Sequence, residues 1–130
     1  MTLLPPSLAE FEALALAALS AIPAELKRHL GDVVIRVEDF PDAATVKEMG
    51  LDSPFDLLGL YRGVALPYQS VSTPRVGIDM IFLYRRPILD YWREAGDELT
   101  TVVRHVLIHE IGHHFGFSDE DMERLEAEPG

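Results

Sequence analysis

The stretch VRHVLIHEIGHHFGFSDED, residues 103–121, holds four of the chain's five histidines: His105, His109, His113 and His114. Glu110 stands in its middle, and Asp119, Glu120 and Asp121 at its end. Large apolar residues fill the gaps. An α-helix turns by about 100° per residue. On such a helix His109 shares a face with Leu99, Val102, Val106, Glu110 and His113. Leu107 and Val103 lie to one side, and Ile108, Ile111 and Phe115 around the back. A helix apolar on most sides reads as buried. Placing imidazoles and a carboxylate in it is costly unless something satisfies them. A metal ion does so well.

The spacing His109-Glu110-x-x-His113 is the HExxH pattern. Two histidines four apart stand roughly 5–6 Å apart at Cβ on one helix face. Both rings can meet one zinc through bonds of about 2.0–2.1 Å. Glu110 flanks the pair, too short of the ion to be its third ligand but able to touch a zinc-activated water and act as general base. Gly112 sits mid-helix, where glycine costs about 1 kcal/mol against alanine, so close packing is expected there. Gly116 follows His113 by three residues, where a left-handed glycine can end a helix. The turn would bring Asp119 back as a third ligand, with Glu120 and Asp121 in reserve. Ser118 and Asp121 also match a capping box, which would make Asp119 a first-turn acid. His105, His109 and His113 form a ladder, but the outer two stand roughly 12 Å apart along the axis, so one ion cannot take all three. Only the 109/113 pair encloses a glutamate and precedes a turn and an acid. His105 is then a core or supporting group, His114 points elsewhere, and His29 ends an earlier helix.

Working outward, Ser7 caps a helix with the apolar stripe Leu8, Phe11, Ala15, Leu19 and Ile22. Pro23 restarts a short helix to about Leu30. DVVIRVEDF reads as a strand, and PDAATVKEMG as a helical turn or two closed by Gly50. SPFDLLGLYRG and VGIDMIFLYRRP are further strands, the second with Ile78, Met80, Phe82 and Tyr84 on one face and Ile81 and Leu83 on the other. VALPYQSVSTPRV between them reads as a loop. Pro87 suits the first turn of a helix ended by Gly96. The long helix then starts at Asp97 or Glu98, and Ser118 caps a last short one. This order predicts an α+β domain, a small sheet packed on helices, spanning residues 1–130 as one unit.

Composition excludes several classes. With no cysteine, disulfides and thiolate metal sites are out, and a reducing, cytoplasmic compartment is expected. A net charge of −11 argues against nucleic acid. No apolar run reaches membrane-spanning length. LALAALSA lacks a preceding basic residue, so it reads as a packed helix rather than a secretory signal.

Read to Asp119, HEIGHHFGFSD has the form HExxHxxGxxD. It resembles the extended zinc motif of metzincins. Together with LLGLYRGV and IFLYRRPILD, it is similar to a family of small bacterial zincin-like metallopeptidases of minimal metzincin type, over roughly residues 30 to 125. The resemblance implies a minimal zincin-like fold with a long active-site helix. It also implies Zn2+ on His109, His113 and Asp119, Glu110 as catalytic base, and a peptide or protein substrate. Larger metzincins carry a methionine turn well downstream of their ligands, whereas Met122 follows Asp119 by three residues. An extended peptide would pair with the edge of the Ile78–Tyr84 strand, and Tyr84, Tyr68 and Arg85 are candidate oxyanion donors. The alternative is a non-catalytic protein in which zinc stabilises the fold or an interaction surface.

Overall fold

Ser7 opens the first helix with a full capping box: its hydroxyl accepts the Glu10 N–H, and the Glu10 carboxylate accepts the Ser7 N–H. The computed structural model that shows this describes residues 5–65 and 77–128. Helix α1 runs Leu8–Ser20 and buries Phe11, Ala15 and Ala18, with Ile22 just beyond it. Leu8 is exposed, so the apolar stripe starts one turn later than the sequence suggests. Pro23 starts the single-turn α2, Ala24–Lys27.

Strand β1, Val33–Glu38, buries Ile35 and exposes Val34 and Arg36, the alternation expected of a half-buried strand. Helix α3, Ala43–Glu48, is capped by Asp42, whose carboxylate accepts the Thr45 N–H. The next stretch is not one strand. Ser53 caps a 3-10 turn over Pro54–Asp56, and β2 begins only at Gly59 and ends at Ala65. The reason is local: the Ser53 hydroxyl accepts the Phe55 N–H, the Asp56 carboxylate accepts the Ser53 N–H, and Pro54 has no N–H for a ladder. Two residues of the expected loop, Val64 and Ala65, belong to β2. The rest of it, Tyr68 included, lies outside the described residues.

Strand β3, Gly77–Tyr84, runs straight into α4, Arg85–Ala95, with Pro87 in its first turn. Helix α5 spans Leu99–His114 and α6 spans Asp119–Ala127. The sheet order is β1-β3-β2, with β1 parallel and β2 antiparallel to β3. Ile35 and Tyr61 both pair with Ile81, so these three share a face. That face, with Leu83, packs on α1 and α5. The result is the expected α+β arrangement of a small sheet on helices.

One expectation fails on topology. β3 is the central strand, bonded on both sides, and has no free edge for a peptide. Among the described strands the edge next to α5 is β2. No helix of the described residues is long and apolar enough to cross a membrane.

Candidate metal centre

Helix α5 buries Val102, Val103, Val106, Leu107, Ile108, Ile111 and Gly112. What it leaves open includes a stripe at every fourth position, namely Thr101, His105, His109 and His113, flanked by Thr100, Arg104 and His114. The histidine ladder thus lies on the open side of the helix, away from its buried apolar face. The apolar residues satisfy the core, and the imidazoles avoid the desolvation cost that a fully buried helix would impose.

The helix ends as Gly116 adopts φ +79°. The Gly116 N–H donates to the His113 carbonyl and the Phe117 N–H to the Gly112 carbonyl, the paired bonds of a Schellman turn. Ser118 then caps α6 in a box with Asp121. Asp119 is therefore a first-turn acid of α6, and it also lies opposite α5: its Oδ1 is 3.8 Å from His113 Nε2. Two ligands of one tetrahedral zinc stand about 3.3 Å apart, given bonds of about 2.0–2.1 Å. This pair is close to that spacing. Asp121, held in reserve as a ligand, is used in the cap.

His109 and His113 have ring centroids 5.8 Å apart at 81°. Two imidazoles on one zinc subtend about 5–6 Å, so the pair has the right span. The Nε2 of His109, however, faces α6 near its far end, 2.5 Å from Glu126 Oε1. His105 joins the same oxygen, its Nδ1 2.9 Å away. Among the described residues, His105, His109 and Glu126 are the group whose donor atoms all converge. His113 and Asp119 stand apart from that group, with side chains 59% and 90% exposed. The side chains of His105 and His109 are 39% and 28% exposed, so His105 belongs to the open stripe and not to the core.

Glu110 lies one step round the helix, on the inner flank, beneath β2. A Cβ on Gly59 would stand 2.9 Å from Val106 Cγ1, 3.0 Å from the Phe82 carbonyl and 3.4 Å from Glu110 Cγ, so β2 can press onto the motif only with glycine there. Burial raises the Glu110 carboxyl above its usual range. The charge of His113 and the backbone N–H of Tyr61 pull it the other way and do not cancel the effect. Tyr61 in turn donates its hydroxyl to Asp79 at 2.6 Å and stacks on His114, centroids 3.9 Å apart. Its phenol is raised by burial first, then by Asp79.

The oxyanion candidates sit elsewhere. Arg85 donates to the Pro6 carbonyl and to Asp39, at the far end of β1. Tyr84 is buried on the sheet face away from α5, its phenol pushed up to about 12 by burial and then by Glu38 and Asp42, with Glu110 a minor contributor.

Gly112 has a direct explanation. A Cβ there would fall 2.5 Å from Met122 Sδ and 2.8 Å from its Cγ. Met122 and Leu125 are fully buried, so α6 docks through them onto α5. Sequence reasoning missed Glu126, and its signal was present: it lies four residues after Met122 and beside Leu125, on the docking side of α6.

The family model described as a zincin-like metallopeptidase matches residues 30–128 of the chain. No curated protein matches it.

Proposed function

The chain belongs to the zincin-like metallopeptidases, and from that premise we propose that it is a zinc-dependent peptidase whose zinc is held by His109, His113 and Asp119. The family implies a metal ion and peptide substrates. The observation that carries the ligand set is the 3.8 Å approach of Asp119 on α6 to His113 on α5, with His109 one turn away on the same open stripe. Six acids lie between Asp119 and Glu128 against one arginine, which makes this face attractive to cations.

Zinc, when bound, supplies Lewis acidity toward a water and a scissile carbonyl. The rest falls to the chain. Glu110 is the general base: burial raises its proton affinity, so it accepts a proton from water more readily than an exposed carboxylate and can return it to the departing amine. Tyr61 fixes Glu110 through its backbone N–H and is itself locked by Asp79 and His114. The edge of β2 is the peptide-binding strand, because it runs beside Glu110 and leaves Gly63 exposed for backbone pairing. Residues 1–130 act as one zincin-like domain, and the lack of cysteine supports a cytoplasmic setting.

A second reading has its own support. His113 and Asp119 belong to different helices, so an ion between them would pin α6 to α5 without any catalysis. Metal analysis of the purified protein tests both. One zinc per chain, lost in His109→Ala and bound more weakly in Asp119→Asn, supports the ligand set. A metal-free preparation, or zinc unaffected by His109→Ala, removes it.

A further inference from the structure

Glu126 Oε1 is buried and has no hydrogen-bond partner among the described residues, although two imidazole nitrogens stand within 2.9 Å of it. Neither approach has the alignment of an N–H···O bond. Three lone-pair donors thus converge with no donor aligned to them, an arrangement that is costly for a buried carboxylate oxygen unless a cation sits among them.

The arrangement is built rather than incidental. Arg104 donates to the Glu126 and Glu128 carbonyls at 2.8 and 2.7 Å, which clamps the end of α6 onto α5. Met122 and Leu125 fix the same helix from beneath. His105 is further braced by Tyr91, whose ring lies parallel to it at 6.5 Å. Beside His105 and Glu126 opens a cavity of about 120 Å³, also lined by Tyr91, Asp97 and Thr101. At about 30 Å³ per water, it can supply water ligands to complete a coordination shell. The Arg104 guanidinium also lines this cavity, with two of its five N–H groups held by the two carbonyls.

We infer that His105, His109 and Glu126 form a second site, for a divalent transition-metal cation of the zinc, cobalt or nickel type, that competes with the His113–Asp119 position for His109. Two imidazoles and one carboxylate suit that class of ion. A seated ion would spread the donors slightly, since two ligands of one zinc stand about 3.3 Å apart. All three side chains are partly exposed and can give. One neutral imidazole serves one ion, so a cation here withdraws His109 from the motif. The second site stands on its own geometry; only the competition rests on the ligand set proposed above.

Cobalt binding, read by calorimetry and visible absorption with circular dichroism as the folding control, separates the two. His113→Ala/Asp119→Asn keeps the new site alone and should still bind one equivalent of Co2+, at least tenfold more weakly once Glu126→Gln is added. In that double variant Zn2+ should shift the NMR ring signals of His105 and His109 and leave His29 and His114 in place. His105→Ala/Glu126→Gln keeps the motif alone. Cobalt retained there but absent from His113→Ala/Asp119→Asn overturns the second site and leaves an ordinary His–Glu ion pair. Cobalt retained only in His113→Ala/Asp119→Asn upholds the second site and defeats the motif ligand set. Wild type taking up two equivalents at once overturns the competition.

Discussion

Met122 on α6 fills the space that any side chain at Gly112 on α5 would need. The contact joins the helix carrying the histidines to the helix carrying Asp119 and Glu126, so the positions of these acids depend on it. Gly112→Ala should gain about 1 kcal/mol of helix propensity and lose more, because overpacking a fully buried contact costs about 1–3 kcal/mol. The net expectation is a modest loss in urea unfolding, with weaker metal binding alongside. A variant as stable as wild type would mean that Met122 relaxes freely.

Glu110 sets a pH dependence. Its carboxyl is raised by burial above the ordinary value of 4.5. Between the unfolded and folded values the native chain binds more protons than the unfolded chain, so stability falls as pH rises through that window. Metal-free Glu110→Gln should therefore be more stable than metal-free wild type at neutral pH. The advantage should vanish below about pH 4, where both forms are neutral. Chemical denaturation at several pH values, in the presence of a chelator, measures it. Equal stability at neutral pH would show that the buried carboxylate carries no penalty.

Tyr61→Phe removes one end of a part-buried bond to Asp79. A hydrogen bond to a charged group contributes about 1.5–3 kcal/mol, and Asp79 is left without this donor. A loss of that order is expected in unfolding experiments. If the stacking of Tyr61 on His114 were all that mattered, phenylalanine would cost almost nothing, since its ring stacks equally well.

The helices and the faces of the strands were legible because periodicity is a local property. The Ile35 alternation, the cap at Ser7, the capping box at Ser118, and the turn at Gly116 each depend on neighbours within a few residues. Strand order is not local. Nothing within VGIDMIFLYRRP says that it lies between the other two strands, and the expected peptide edge was wrong for that reason. Periodicity also assigned the α5 histidines to a buried helix without saying which side faces solvent. Packing by α1, β2 and α6 decides that, and it leaves Thr101, His105, His109 and His113 open. Glu126 escaped because its approach depends on how α6 docks, through Met122 and the Arg104 clamp, far from the motif in sequence.

The proposed peptidase needs both Glu110 and a zinc on the neighbouring histidines. The most direct measurement is a peptide-library digest by zinc-loaded wild type and zinc-loaded Glu110→Gln, with metal content determined on both. Wild type should cleave, and Glu110→Gln should lose at least a hundredfold, at the scale of a general base, with zinc content unchanged. No cleavage by zinc-loaded wild type, or equal cleavage by the two proteins, would contradict the proposal.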